Sequence, residues 1–213
     1  QGAFVPVITD IKEQARNKRR RSVFIDGEYA FGVSLDEVVA YRLAVGQELS
    51  PERLEAVIAA TELRRAKESL FRLLSYRAYS EAELRSRLRA KQFTDEVIER
   101  ALADLRGSGL VDDRQFAETF VRSRISSGRS GRRRLEWELR SRGIEPQVVE
   151  ESLAEIGEES EYPLALQVAQ RRYERLRDEA PEVQRRKIAL FLQRRGFAYE
   201  TISRVLSMVL PPE

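Results

Sequence analysis

Apolar positions along this chain fall into one pattern that occurs three times. Counted from Leu84 they stand at offsets 0, 4, 9, 14, 18 and 21, as Leu84, Leu88, Phe93, Ile98, Leu102 and Leu105. The same offsets from Leu135 give Leu135, Leu139, Ile144, Val149, Leu153 and Ile156, and from Ile188 they give Ile188, Leu192, Phe197, Ile202, Leu206 and Val209. The copies lie 51 and 53 residues apart, the spacing of a tandem helical repeat. Offsets 0 and 4 share one face of a helix, and 14, 18 and 21 share one face of a second, so the residue at offset 9 plugs the turn between them. Ser80 with Glu83 reads as a capping box, Thr94 as an N-cap, and Pro146 suits a first helical turn. Gly143 and Gly196 fall where a helix ends in a left-handed conformation.

A further apolar segment precedes each copy: Leu70, Phe71, Leu73 and Leu74; Phe116, Phe120, Val121 and Ile125; Leu164, Val168, Ala169, Tyr173 and Leu176. Each repeat is therefore predicted to hold three helices, two of them in helix-turn-helix order. Ahead of the repeats, residues 9 to 33 alternate as strands do, with Asp26-Gly27 as a hairpin turn between apolar runs. Ser34 with Glu37 opens a helix carrying Leu35, Val38, Val39 and Leu43, expected to end near Gly46. Ser50-Pro51 opens another, which either continues through Leu63, Ala66 and Leu70 or breaks near Thr61. The runs SSGRSG (126–131) and GEESE (157–161) read as loops. The expected fold is mainly α, an elongated set of tandem three-helix repeats with a small N-terminal β-hairpin or sheet plus helix. Its divisions are 1–60 for the N-terminal extension and 61–110, 111–161 and 162–213 for the repeats. Such solenoid-like bodies usually serve binding, and no enzyme pocket is indicated.

Composition narrows the chemistry. The 213 residues include no Cys and no His, which removes thiol nucleophiles, disulfides, the usual zinc sites and the commonest acid/base catalyst. Neither a cofactor nor a metal is expected. No apolar run reaches the length of a membrane span, and Gln1–Asp10 lacks the order of a signal peptide, so the expectation is a cytoplasmic chain with no membrane partner.

Charge adds a candidate surface. Of 38 basic residues 33 are arginine, the side chain suited to bidentate phosphate or carboxylate contacts, although genomic base composition accounts for the bias equally well. Basic residues recur with the module: Lys91, Arg142 and Arg195 at offset 7, with Arg89, Arg140 and Arg194 nearby. One cation at a helix C-terminus offsets the macrodipole, but two per helix exceed that need. The densest run holds Arg122, Arg124, Arg129, Arg132, Arg133, Arg134, Arg140 and Arg142 against Glu136 and Glu138, a local net of +6. It reads first as a site for phosphate or an acidic partner and second as a solvated face. A smaller cluster, Arg16 with Lys18, Arg19, Arg20 and Arg21, reads first as a solvated strand end. Asp112, Asp113 and Glu118 could gather round a divalent ion, but Asp113 is better placed as a helix cap with Asp112 ahead of it. Trp137 points away from the face of Leu135 and Leu139, with packing against the next repeat favoured over stacking on a base. Tyr76 and Tyr79 are expected in the junction core of the first repeat.

The runs LLSYRAYSEAELRSRLRAKQF, LVDDRQFAETFVRSR and GRRRLEWELRSRGI resemble the RecX family, regulators of the RecA recombinase, over roughly Ala66 to Leu210. The most specific part is Asp112, Asp113, Phe116, Ala117, Phe120, Val121 and Arg124; Arg132 departs from the apolar residue or proline expected after the glycine. The resemblance implies a non-enzymatic monomer that binds the RecA filament and single-stranded DNA, with duplex DNA a further partner, and restrains strand exchange, ATPase and co-protease activity. The alternative is a helix-turn-helix transcription regulator, which needs a polar recognition helix; the second helices here carry Asp95, Glu96, Glu99 and Asp104, or Glu150, Glu151 and Glu155, which repel phosphate. A metal-dependent nuclease on Asp112, Asp113 and Glu118 ranks third.

Overall fold

The computed structural model describes residues 5–15, 17–128, 130–154 and 156–210. Within them stand three strands and ten helices. The strands β1 (Ile8–Gln14), β2 (Asn17–Ile25) and β3 (Glu28–Ser34) form an antiparallel sheet in that order. Asp26 and Gly27 both take positive φ, 51° and 89°, as a two-residue hairpin turn with right-handed strand twist requires. The basic residues Lys18–Arg21 lie within β2 itself, where Arg20 donates to the Gly32 carbonyl and Arg21 pairs with Glu13 at 3.4 Å. Arg16 lies outside the described residues.

Helix α1 (Leu35–Ala40) opens on the Ser34–Glu37 capping box and is shorter than the apolar spacing suggests. Arg42 takes φ 52°, a left-handed conformation that ends the helix before Leu43. Helix α2 (Pro51–Leu74) begins at Ser50 and Pro51 and runs unbroken through Thr61, so the position 60/61 falls inside a helix. Thr61 is buried and leaves the helix ladder intact. The sheet, α1 and the start of α2 enclose a core of Ile8, Val23, Phe31, Val33, Leu43, Leu49 and Val57.

Then follow α3 (Glu81–Arg89), α4 (Asp95–Gly107), α5 (Asp113–Ser126), α6 (Arg132–Ser141), α7 (Pro146–Leu153), α8 (Glu158–Glu174), α9 (Pro181–Arg194) and α10 (Tyr199–Val209). Every position of the repeated pattern is buried except Val209, which is half-buried. Phe116, Ala117 and Val121 of α5 close over Leu135 and Leu139 of α6 and Val149 and Leu153 of α7. Val168 and Ala169 of α8 close over Ile188 and Leu192 of α9 and Ile202 and Leu206 of α10. GEESE does not form a loop: Gly157 is the N-cap of α8, which starts at Glu158. Tyr76 is 81% exposed, so it is not part of a junction core, while Tyr79 is half-buried. The chain divides into two compact units, one of residues 1–77 with 85–107, the other of 78–84 with 108–213. No helix is long and apolar enough to cross a membrane among the described residues.

Candidate functional site

Helix ends build the second unit. The first amides of any helix lack partners inside it, and so do its last carbonyls. Gly131, the N-cap of α6, has no capping side chain. Its N–H donates instead to the Arg195 carbonyl at 2.8 Å, and the Arg133 N–H donates to the Gly196 carbonyl at 3.2 Å, both acceptors at the end of α9. The Arg132 N–H is taken by the Glu161 carboxylate from the first turn of α8. The other end of α6 meets the start of α3 in the same sense. The Ser80 hydroxyl accepts from the Glu83 N–H and donates to the Arg142 carbonyl at 2.7 Å, while Arg142 pairs with Glu83 at 2.6 Å. Helix macrodipoles thus run head to tail through both joints.

Close approach explains the glycines. Gly143 and Gly196 end α6 and α9 at φ 75° and 80°. A β-carbon at Gly143 would lie 2.4 Å from the Ala82 Cβ, and one at Gly196 would lie 2.3 Å from the Arg134 nitrogen. In the first copy Gln92 holds the same offset at φ 64°.

This joinery decides where the arginines go. Arg132 turns inward, its guanidinium donating to the carbonyls of Leu153 and Ile156 at the end of α7. It is a capping residue of its own repeat, which accounts for its departure from an apolar side chain. Arg133, Arg134 and Arg194 line a recess of about 230 Å³ with Trp137, Gln193, Gly196 and Phe197. Arg124, Arg134, Arg194 and Arg195 line another of about 310 Å³ with Ser130 and Glu138. Glu138 is the one carboxylate lining either recess among the described residues. It pairs with Arg124 at 3.3 Å and Arg134 at 2.9 Å, which leaves the recesses strongly positive.

Other candidates stand apart from this group. Arg140 pairs with Glu136 one turn away, and Arg142 stacks at 5.1 Å on Phe120 while paired to Glu83. Arg122 is exposed on α5. In the other unit Arg89 pairs with Asp95 at 2.8 Å and Lys91 is exposed. Arg129 lies outside the described residues.

Three features escaped the sequence reading. Trp137 does not bury itself against the next repeat: it is 64% exposed at the edge of the arginine-lined recess. Arg171 and Arg172 of α8 and Arg175, its C-cap, join Arg195 around a third recess; their one-turn spacing was the available signal. The two aspartates exchange roles: Asp112 is the N-cap of α5, accepting from the Arg114 and Gln115 amides, and Asp113 accepts from the Glu81 N–H at 2.8 Å. Both carboxylates therefore bind helix amides, and the described residues contain no acidic cluster suited to a metal.

Comparison with known proteins accounts for most of the chain. The family model described as the regulatory protein RecX N-terminal domain matches residues 6–50. Those for the first, second and third three-helix domains of RecX match 66–105, 112–153 and 159–206. The regulatory protein RecX of Clostridioides difficile is 28% identical over 96% of this chain and 96% of its own length. That of Geobacillus kaustophilus is 29% identical over 94% of this chain and 76% of its own length. A crystal structure of regulatory protein RecX is 26% identical with a TM-score of 0.68, covering 94% of this chain and 98% of that one. The fold of RecX from Lactobacillus salivarius also matches, with a TM-score of 0.64 over 70% of this chain and 97% of that one.

Proposed function

The chain belongs to the RecX family of regulatory proteins, and from that premise we propose that it binds the filament RecA forms on DNA and restrains strand exchange, ATPase and co-protease activity. It does so as a non-enzymatic cytoplasmic monomer that binds and does not transform its partner. The observation that carries this reading is the face where α5, α6 and α9 meet. Arg124, Arg134, Arg194 and Arg195 gather there with Glu138 as their carboxylate, and Arg133 joins Arg134 and Arg194 beside Trp137. Guanidinium groups recognise phosphate oxygens and acidic side chains alike, and a nucleoprotein filament offers both. The exposed indole adds a surface on which an unpaired base can stack.

The second reading, a helix-turn-helix transcription regulator, is disfavoured by charge. The last helices of the first two repeats begin with Asp95 and Glu96 or carry Glu150 and Glu151, all exposed. A helix of that sign is repelled from the phosphate-walled major groove.

Co-sedimentation with RecA filaments, compared with naked single-stranded and duplex DNA, tests the proposal. Pelleting with the filament and inhibition of RecA's DNA-dependent ATPase below the concentration that coats DNA is the expected result. Equal binding to bare DNA with no effect on RecA would sink it.

A further inference from the structure

The third arginine recess does not resemble the ionic surface around it. With 35 acidic residues against 38 basic, carboxylates are abundant, and several arginines of the second unit take one: Arg124 and Arg134 share Glu138, Arg140 takes Glu136, Arg142 takes Glu83, Arg177 takes Glu174, and Arg204 takes Glu159. Arg171, Arg172 and Arg175 form no ion pair among the described residues, although they stand within one turn of each other. Together with Arg195 they surround a recess of about 250 Å³ whose other lining is Ser127, Gly128, Val168 and Phe191, with no carboxylate among the described residues.

Phe191 arranges the cluster. The guanidinium carbons of Arg172 and Arg195 lie 5.3 and 4.5 Å from its ring centroid. A guanidinium held by a ring keeps its N–H edge for an acceptor lying in its plane. The Arg172 Nε is fully buried and meets no acceptor among the described residues. A buried N–H of a cation left without an acceptor is costly, and gathering like charges adds to the cost. An anion in the recess offsets the mutual repulsion of the gathered guanidinium groups.

We propose that this recess binds a phosphate group, held by Arg171, Arg172, Arg175 and Arg195. Phosphate suits it because several oxygens diverge from one centre and can each take an N–H from a different guanidinium, whereas a lone carboxylate offers two. The recess is smaller than the 300 to 1,000 Å³ usual for small-molecule sites, so it takes the phosphate and leaves the rest of the ligand outside. Two sources share that chemistry: a phosphodiester of single-stranded nucleic acid, and the phosphates of a free nucleoside triphosphate. The first source rests on the function proposed above; the second does not.

The test uses the full chain and the variant with Arg171→Ser and Arg175→Ser, two exposed residues whose loss should not lower the melting temperature. The probes are a fluorescent oligothymidylate across a salt series and ATP by calorimetry. If the recess holds a phosphodiester, the log-affinity for the oligonucleotide should depend less steeply on log salt in the variant, by about 0.7 for each lost contact. If it holds a free nucleotide, ATP should bind the parent saturably and the variant at least tenfold more weakly, with the oligonucleotide slope unchanged. Arg171→Lys with Arg175→Lys should restore the salt slope, since charge returns, but only part of the ATP affinity, since the bidentate geometry does not. A variant matching the parent with both probes overturns the proposal. Failure of the parent to inhibit RecA while either probe responds removes the filament reading and leaves the recess standing.

Discussion

The Gly131 N–H donates to the Arg195 carbonyl at 2.8 Å, so the start of α6 rests on the end of α9 main chain to main chain. No side chain can enter that contact. A β-carbon at Gly131 would meet the Gly196 carbonyl oxygen at 2.6 Å, and one at Gly196 would meet Arg134 while φ is held at 80°. Gly196→Ala is expected to cost roughly 2 to 4 kcal/mol, from left-handed strain and forced displacement together. Gly109→Ala, also at positive φ but facing open space, should lose only the strain, about 1 kcal/mol. Urea denaturation of the two variants makes the comparison, and equal losses would remove the close joint from the explanation.

The repeat register predicts a second cost. Leu153 is 1% exposed at the offset shared with Leu102 and Leu206. Leu153→Ala should destabilise the protein by about 2 to 5 kcal/mol, the range for large-to-small changes in a packed core. A loss under about 1 kcal/mol in the same denaturation assay would place Leu153 outside the core of its repeat.

How much of this was legible follows from where each constraint lives. The helix periodicity, the Ser34 and Ser80 capping boxes and the Asp26-Gly27 turn are local, and local spacing revealed them. Continuation of α2 through Thr61 turned on a burial that spacing does not contain. The roles of Asp113 and Arg132 were beyond reach for the same reason: each satisfies the backbone of a helix remote in sequence, Glu81 for one and Leu153 and Ile156 for the other. The candidate arginines were visible as a run. Which of them turn inward was set by helix ends remote in sequence, Leu153 and Ile156 for Arg132 and Glu83 for Arg142.

Arg132 and Arg133 should consequently behave as opposites. Arg132→Ala leaves the Leu153 and Ile156 carbonyls without their donor and should cost about 1 to 3 kcal/mol of stability. Arg133→Ser, at an exposed position with its side chain beside Trp137, should stay within about 0.5 kcal/mol and weaken binding instead. Thermal melts and filament co-sedimentation separate the two effects, and a melt in which both variants fall together would contradict the assignment.

One titration has a definite sign. The Arg85 guanidinium donates to Glu99, with 3.0 Å between Nη2 and Oε2, and holds its carboxyl below the ordinary value of 4.5. Depression in the folded state means that the stabilisation is complete above the unfolded value and is lost as pH falls through the folded one. With the Glu99 side chain 49% exposed, solvent screens the pair and the effect on stability is small. The clean observable is the Glu99 carboxyl resonance. Arg85→Gln should move its titration midpoint upward, and an unchanged midpoint would show that the hydrogen bond does not set it.

The last prediction uses the single tryptophan as its own reporter. Trp137 is 64% exposed beside Arg133, Arg134 and Arg194, where a strand held by its phosphates would bring a base against the indole. Stacking is worth about 1 to 3 kcal/mol per base, so Trp137→Ala should weaken binding of a single-stranded oligonucleotide by that amount with little loss of stability. The parent's indole emission should be quenched as the oligonucleotide saturates. Arg133→Ser with Arg194→Ser should flatten the salt dependence by about 0.7 per contact while leaving the stacking intact. A partner recognised through acidic protein side chains gives another pattern: oligonucleotide alone leaves the emission unchanged, and RecA filaments change it. Emission indifferent to both, together with full filament binding by Trp137→Ala, would exclude this face from either contact.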